Sequence, residues 1–313
     1  MARNTARHRV RILTVQEFAE RFGTDRQCAE HLARRRWQKG FTCPACGHAG
    51  SSYVATRRLH QCSACRHQTS LTVGTIFHKT SVPLRKWFWA LYRMGQDKKG
   101  ISAMMLRKEI GVSYPTAWLM LQKIRHAMTT GEKDRVLHGS VELDDAYIGG
   151  FRSGPHGRGA KGKTPFFVAA EVSAGGGLGR AILQPTRRLT RRNAERFTQT
   201  RLDSSCRVRT DGLNIYRALG ALGYEHESVV VGSHGRKAVT AFPWVHTVVS
   251  NLKRFILGRH HAIAGKHAVR YLGEFAYRLN RRNQESNLFA MLLDTCTKVK
   301  AMTYPELKAA EVR

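Results

Sequence analysis

The sequence predicts a mixed α/β fold that follows a small cysteine-containing module and a helical segment. Three observations support this prediction. Two CxxC pairs occur early in the chain, apolar residues then recur with helical spacing, and from Gly139 onward the pattern changes to the alternation typical of β-strands. At 313 residues the chain is long enough for two or three domains.

The predicted domain boundaries follow these changes of pattern. We expect an N-terminal helical segment, a cysteine module, a second helical segment, an α/β core and a C-terminal tail, at residues 1–39, 40–76, 77–132, 133–285 and 286–313. Apolar residues such as Phe289 and Leu292 predict that the tail packs as a helix.

The chain is strongly basic. It has 53 Lys and Arg residues against 22 Asp and Glu residues, a formal net charge of +31. Such an excess indicates a polyanionic partner, most often nucleic acid, whereas a basic surface kept for solubility is the weaker alternative. Since the sequence has no uninterrupted apolar stretch of about 18 residues, we expect a cytoplasmic protein without a membrane partner.

The two CxxC pairs predict a structural zinc site. The four ligands are Cys43, Cys46, Cys62 and Cys65, and the residues between the pairs have a strand pattern. Each pair supplies two thiolates from a tight turn, and four thiolates complete a tetrahedral Zn²⁺ shell. Redox-active cysteines are the weaker alternative, because no thioredoxin-like βαβ pattern lies nearby.

Helical patterns lie on both sides of this module. Before it, residues 14–37 predict one helix in which the arginines at 34–36 face water or phosphate. After it, residues 101–110 and 114–128 predict two helices joined by a tight turn at Gly111. A DNA-reading helix-turn-helix fits this pattern, and so does an ordinary helical hairpin.

The second of these two helices has one apolar side. Ala117, Leu121, Ile124 and Met128 recur with a 4-3-4 spacing and predict the buried side of the helix. The basic residues Lys123, Arg125 and His126 are expected to extend away from it.

The α/β core is predicted from strands and helices in alternation. The strand patterns lie at 140–144, 165–172, 179–183 and 206–210, and the helical patterns at 191–200 and 213–222. Three antiparallel-looking strands followed by strand and helix alternation predict a mixed sheet. A glycine-rich basic loop is expected at 149–163.

Two carboxylates, Asp144 and Asp211, lie where separate strands are expected to end. Carboxylates that meet at strand ends form an oxygen-rich site for Mg²⁺ or Mn²⁺, and two such ions about 4 Å apart activate water and stabilise the leaving oxygen in phosphodiester cleavage. For either residue alone, a turn or helix cap is the simpler explanation. The pair in a basic chain favours the metal site.

Four short motifs occur in a specific order after the cysteine module. They are Asp144-Asp145-Ala146-Tyr147-Ile148-Gly149-Gly150, Thr210-Asp211-Gly212, Trp244-Val245-His246 with Lys253, and the run from Tyr271 to Arg282. Over about residues 17–282 the chain resembles bacterial insertion-sequence transposases of the ISXO-two-like group. The resemblance implies a ribonuclease-H-like core and DDE-type chemistry: metal-dependent strand cleavage at the element's ends, then attack of the freed 3′ hydroxyl on target DNA.

The resemblance assigns the third metal-site position to His246 and a phosphate contact to Lys253. Seven residues of helix make roughly 700°, so the two side chains point within about 20° of each other, whereas Asn251 lies about 140° away. A histidine departs from the all-acidic pattern. It favours Mn²⁺ or a more weakly held second ion, or orients water or the scissile phosphate without ligating.

Other residues are alternatives for this site. Asp145 lies on the opposite side of its strand from Asp144, which predicts a supporting role, whereas Glu142 lies on the same side and is a weaker candidate ligand. Glu274 belongs to the last motif, but i,i+4 pairing with Arg270 or Arg278 also explains it. His260 and His261 are expected to cap a helix or border the site, and Arg278, Arg281 and Arg282 to contact DNA or hold Glu274.

The resulting hypothesis is a transposase that binds terminal inverted repeats and catalyses strand cleavage and transfer. Asp144, Asp211 and His246 bind the catalytic metal, and a homo-oligomer forms on double-stranded DNA at the bacterial nucleoid. The alternative is a catalytically inactive zinc-ribbon DNA-binding protein derived from a transposase. A repair or RNA-processing nuclease would share the chemistry but leave the cysteine module without a role.

Overall fold

The computed structural model describes residues 12–54, 56–57, 59–149, 162–230 and 241–309. Most of the loop predicted at 149–163 lies outside these residues. The chain divides into two compact units, which are Met1–Met120 with Asn283–Ala301, and Leu121–Arg282 with Met302–Arg313. The division falls inside one long helix.

The helices and strands of the described residues are numbered in chain order. The α-helices are α1 (Val15–Phe22), α2 (Asp25–Arg36), α3 (Leu84–Gln96), α4 (Ala103–Ile110), α5 (Tyr114–Gly131), α6 (Arg191–Arg201), α7 (Pro243–Arg259), α8 (Ala268–Leu279), α9 (Leu288–Lys298) and α10 (Tyr304–Ala309). The strands are β1 (Ser51–Val54), β2 (Leu59–Cys62), β3 (Gln68–Ser70), β4 (Ser140–Ile148), β5 (Thr164–Val172), β6 (Leu178–Pro185), β7 (Arg207–Asp211) and β8 (Glu225–Val229). None of these helices has the length and apolar character that crossing a bilayer requires.

The first unit begins with two helices where the sequence predicted one. Thr14 starts α1 and Thr24 starts α2, and each side chain forms a capping box with the third residue of its helix. The second box at Thr24 stops α1 at Phe22 because a capping residue has non-helical backbone angles. The single helix predicted at 14–37 is therefore wrong.

An aromatic cluster holds α1 against α3 and α9 within this unit. The Phe289 ring lies 5.9 Å from Phe18 and 5.4 Å from Phe22, and Phe88 packs beside them. Such ring pairs contribute packing beyond the area they bury. The predicted helix in the C-terminal tail is thereby confirmed as α9.

In the arginine run at the end of α2, Arg34 is exposed as expected, whereas Arg35 and Arg36 make internal contacts. Arg35 forms an ion pair with Asp294 of α9 at 3.0 Å, and Arg36 donates to the carbonyl oxygens of Ser70 and Leu71. Burial lowers the pKa of Arg36. These two guanidinium groups hold the unit together, so the prediction that they face water or phosphate is wrong.

The second unit is built on a five-stranded mixed sheet with the order β6-β5-β4-β7-β8. Strand β4 pairs antiparallel with β5 and parallel with β7, and β7 pairs parallel with β8. The predicted mixed α/β sheet is confirmed. Strand β8 was missed, and the helix predicted at 213–222 consists of two 3₁₀ turns, Asn214–Tyr216 and Gly220–Leu222.

Each face of this sheet carries its own hydrophobic core. Val141 and Leu143 of β4 belong to the core on the α6 side, with Phe197 among its members. Val168 of β5 belongs to the core on the other side, which contains Val245 of α7. Because side chains alternate along a strand, β4 sends its even-numbered residues toward α7.

Two buried guanidinium groups enclose Glu274 of α8. Its carboxylate accepts from Arg125 of α5 at 2.6 Å and from Arg278 at 2.9 Å, and its side chain is fully buried. Burial alone would raise the pKa of Glu274, but Arg125 and Arg278 lower it below its usual value. The pairing with Arg278 confirms one of the two partners proposed from spacing. Arg270 instead donates to Gln122.

The other basic residues expected at the surface here are also internal. Arg125 is only 2% exposed, although the four apolar α5 residues predicted to be buried are buried. Arg281 pairs with Glu132, and Arg282 donates to the carbonyl of Gly179 in β6. The expectation that Arg125 extends away from the buried side of α5 is therefore wrong, and Arg281 and Arg282 hold Glu132 and the β6 backbone rather than Glu274.

We predict that Glu274→Gln destabilises the protein by about 3–5 kcal/mol, because two buried arginines would lose their shared counter-charge. Urea denaturation of the full chain measures the change. The control is Glu225→Gln, which removes the partner of Arg207 from an exposed pair and should cost less than about 1 kcal/mol. Equal, small effects in both variants would contradict the stabilising role of the buried pair.

Candidate active site

The four predicted cysteine ligands form one cluster in the first unit. Their sulfur atoms all lie within 4.8 Å of one another, with Cys43 and Cys65 at 3.6 Å and Cys46 and Cys62 at 3.6 Å. Thiolates bound tetrahedrally at about 2.3 Å from Zn²⁺ lie about 3.8 Å apart. The observed spacing therefore fits a structural zinc ion.

Two equivalent turns bring these sulfurs together. The N–H of Cys43 donates to the His48 carbonyl and that of Cys62 to the His67 carbonyl, each at 2.9 Å. The histidines thus contribute backbone atoms to the turns. Strands β1 and β2 pair between the turns as predicted, and β3 adds a third strand that the sequence analysis missed.

Asp144 and Asp211 lie at neighbouring positions of the sheet. Asp211 ends β7 as predicted, but Asp144 lies in the middle of β4, which continues to Ile148, so the prediction that Asp144 ends its strand is wrong. Leu143 pairs with Thr210 in the parallel ladder of β4 and β7, so each aspartate is the next residue along its strand. Neighbouring strands lie about 4.8 Å apart, and side chains at equivalent positions share a face. The two carboxylates therefore belong to the face that α7 covers.

A cavity of about 510 Å³ lies between the end of β4 and α7. Asp144, His246 and Lys253 all line it, so the structure brings three of the four predicted catalytic residues together. Asp211 is adjacent to Asp144 by register but does not belong to this lining. The described lining residues are Asp144, Asp145, Ala146, Tyr147, Ile148, Gly149, Lys163, His246, Val249, Lys253, Ile256, Leu257 and His261.

The predicted helical pairing of His246 and Lys253 is present. Pro243 is the first residue of α7, His246 lies in its first turn and is partly buried, and Lys253 is exposed two turns later. Both side chains lie on the wall of the same cavity. This arrangement places a cationic group about 10 Å along the helix from the imidazole, at the rise of 1.5 Å per residue.

The donor set suits a hard divalent cation. Mg²⁺ is usually held by one or two carboxylates and several waters, and Asp144 and Asp211 supply two carboxylates on one face. Among the described residues, the four cysteines are the one group of three or more ligands within 4.8 Å of one another. Asp144, Asp211 and His246 are thus not drawn together to that distance.

Glu142 has a structural role that the sequence did not reveal. Its side chain is 1% exposed, and its Oε2 accepts from the backbone N–H groups of Trp244 at 2.8 Å and Val245 at 2.9 Å. Burial raises the pKa of Glu142, while these two bonds and Arg209 oppose the rise. Its partners are in the first turn of the helix that carries His246.

Asp145 and Glu274 occupy other surroundings. Asp145 pairs with Phe167 in the sheet and accepts from the Tyr216 hydroxyl at 3.4 Å on the α6 side, although it also borders the cavity. Glu274 is enclosed by Arg125 and Arg278, outside the cavity lining. The cavity also includes Lys163 and Leu257, which the sequence analysis did not single out.

The two histidines after α7 differ in their surroundings. His260 packs against Tyr271 and Phe255, and burial together with Arg125 lowers its pKa to about 4. His261 borders the cavity, as expected, and its backbone has a φ of 55°. A positive φ is unusual for a residue with a Cβ atom.

The fold and the site define a class of protein: a zinc-ribbon-like module and a mixed α/β domain that has carboxylates at equivalent positions of two neighbouring parallel strands. Two family models specify it further. The model described as ISXO2-like transposase domain matches residues 136–280, and the transposase zinc-ribbon domain matches residues 23–68.

A curated relative agrees with these matches. The chain is 29% identical over 277 residues to a protein described as an uncharacterized protein in transposable element ISH50 of Halobacterium salinarum (strain ATCC 700922 / JCM 11081 / NRC-1). The match covers 82% of this chain and 91% of that protein. The chain thus matches models of a transposase domain and of a transposase zinc-ribbon domain, which confirms the resemblance seen in its motifs.

We predict about one zinc ion per chain on metal analysis of the purified protein, because four thiolates complete one shell. Cys62→Ser should lose the zinc. Cys206→Ser is the matched control, since Cys206 is equally buried but lies outside the cluster. A protein that keeps its folded ribbon without zinc would contradict the structural role.

We also predict that His261→Gly raises the free energy of unfolding by about 1 kcal/mol, because glycine adopts a positive φ without the Cβ clash. His261→Ala is the control: it removes the imidazole but keeps the Cβ atom, and should not stabilise. Thermal denaturation of both variants measures the difference. Equal stability of the two variants would exclude backbone strain at this position.

Proposed function

We propose that this protein is an insertion-sequence transposase that binds the terminal inverted repeats of its element and catalyses DNA strand cleavage and strand transfer. The observation that carries the proposal is the cavity that Asp144, His246 and Lys253 share, with Asp211 beside Asp144 in the sheet. The transposase domain matches imply the same chemistry and DNA as the partner. The five-stranded mixed sheet with helices on both faces supports the ribonuclease-H-like fold that the resemblance implies.

In this proposal Asp144 and Asp211 hold Mg²⁺ or Mn²⁺, and His246 completes the site or orients the attacking water. The bound metal would activate the attacking oxygen and stabilise the leaving 3′ oxygen. Lys253 is exposed on the cavity wall, where its ammonium group contacts a phosphate next to the cut. Cleavage breaks the bond between phosphorus and the 3′ oxygen and leaves a 3′ hydroxyl for the transfer step.

We assign DNA binding to the zinc-ribbon module and to the start of α5. Gly111 ends α4 with a left-handed backbone, and the Ser113 hydroxyl accepts from the Thr116 N–H. These features support a helix-turn-helix. Tyr114, at the start of α5, is 43% exposed, and recognition helices contact base edges with their N-terminal residues.

The proposal includes a homo-oligomer at the cytoplasmic nucleoid. Joining two element ends requires two active sites or one that is reused, and the net charge of +31 favours residence on DNA.

A catalytically inactive DNA-binding protein is the second candidate. One reason for this candidate is that histidine, rather than an acid, occupies the third metal-site position, residue 246. The other is that the ligand atoms of Asp144, Asp211 and His246 lie farther apart than the sulfur atoms of the cysteine cluster. Such a protein would bind the inverted repeats without cutting them.

We predict that Asp211→Asn reduces cleavage of DNA bearing the element's inverted repeats by roughly 100-fold or more, with binding retained, because it removes an anionic ligand of the metal ion that would stabilise the reacting phosphate. Cleavage is measured on gels with Mg²⁺ or Mn²⁺, and binding by fluorescence anisotropy. Asp134→Asn, at an exposed carboxylate of the same unit, is the control and should cleave normally. Undiminished cleavage by Asp211→Asn would remove Asp211 from the mechanism, and a wild-type protein that binds but never cleaves would favour the second candidate.

A further inference from the structure

Helix α7 begins without a capping side chain of its own. The residue before it is Phe242, whose side chain has no acceptor atom, and Pro243 at the first position has no N–H. Helix α6, in contrast, begins with Thr190, whose hydroxyl accepts from Asn193. The N–H groups of the first turn of α7 therefore need an acceptor from elsewhere in the fold.

Glu142 of the central strand is that acceptor. Its Oε2 takes the N–H groups of both Trp244 and Val245, while the next N–H, of His246, donates to the Phe242 carbonyl. The free donors of the first turn are thus satisfied. A carboxylate at this position also interacts favourably with the positive end of the helix dipole.

Glu142, the acceptor for α7, lies two residues before Asp144 on β4. Residues two apart on a strand share a face and lie about 7 Å apart, so Glu142 and Asp144 both project toward α7. The first turn of α7 is held at Glu142, and His246 is the residue directly after Val245. The same strand therefore supplies the candidate metal ligand and the anchor of the helix that faces it.

Arg209 keeps this anchor in place from the neighbouring strand. Arg209 lies directly opposite Glu142 in the backbone register of the β4–β7 ladder. Its guanidinium lies 5.8 Å from the centre of the Phe242 ring and forms an ion pair with Glu227 at 3.3 Å. A nearby cation favours the carboxylate form, which is the better acceptor.

We propose that Glu142 is a positioning residue: it fixes the start of α7 on β4 so that His246 faces Asp144 across the cavity. This inference rests on the proposed function for its catalytic consequence. The geometry favours this role over metal binding, because the Oε2 atom of Glu142 is held by two backbone donors and the residue lies outside the cavity lining.

The test compares three variants of the full-length protein. Glu142→Ala removes the acceptor, whereas Glu142→Gln keeps an oxygen that accepts the same two N–H groups. Val141→Ala is the matched control, because Val141 is an equally buried neighbour on β4 whose side chain enters the other core. It lowers stability without touching α7.

Four quantities are measured for each variant. They are amide hydrogen exchange at Trp244 and Val245, the rate at which diethyl pyrocarbonate modifies His246, single-turnover cleavage per folded molecule, and DNA affinity. We expect Glu142→Ala to speed exchange at both amides by roughly tenfold or more and to change the modification rate of His246. It should slow cleavage by roughly tenfold or more with DNA affinity unchanged, because displaced catalytic groups lose their geometry.

Glu142→Gln should restore most of the amide protection and of the cleavage, and Val141→Ala should leave both unchanged. Protected amides or undiminished cleavage in Glu142→Ala would overturn the inference. So would a Glu142→Gln variant that protects the amides but cannot cleave, since that result assigns the carboxylate to the chemistry itself. If the wild-type protein does not cleave, the proposed function fails, and amide exchange with His246 modification decides the positioning role alone.

Discussion

Strand β4 sends alternate side chains to two separate cores, and the position of each candidate catalytic group depends on this alternation. Val141 and Leu143 enter the core on the α6 side, so Glu142 and Asp144 must project toward α7. A shift of one residue in register would exchange the two sets and place both carboxylates among the apolar residues of the α6 side. The nine-residue antiparallel ladder with β5 and the parallel ladder with β7 hold this register. Burial of Val141 and Leu143 on one face of the sheet therefore determines that Glu142 and Asp144 lie on the other face.

Three acids of this basic chain occupy internal positions, where cations or the start of a helix require a negative charge. Glu274 lies between Arg125 and Arg278, Glu132 receives Arg281, and Glu142 receives the start of α7. Removing one member of such a buried set leaves an uncompensated charge, so these acids are structurally constrained. The last sequence motif, Tyr271 to Arg282, lies mostly within α8, and its charged residues accordingly fix α8 in the fold. We therefore assign the proposed contacts with DNA to exposed cations such as Lys253 and Arg66.

Features that depend on short spacings were predictable from the sequence. The CxxC spacings predicted the cysteine cluster, and the seven-residue interval placed His246 and Lys253 on one wall of the cavity. Features that depend on partners far away in the sequence were not predictable. Nothing near Arg125 in the sequence indicates that its partner is Glu274, 149 residues away, or that Glu142 binds a helix 102 residues later. Short elements such as β3 and the 3₁₀ turns after Asp211 were missed or misassigned because their patterns span too few residues to show a period.

The identity of residue 246 can be understood from the charges that already face α7. Glu142, Asp144 and Asp211 place three carboxylates on one side of the sheet, with Arg209 next to the first of them. A fourth carboxylate in the first turn of α7 would add like-charge repulsion. An imidazole supplies a ligand or hydrogen-bonding atom at the same place without that negative charge. Histidine at this position therefore costs the apo protein less, and the positive end of α7 is already neutralised by Glu142.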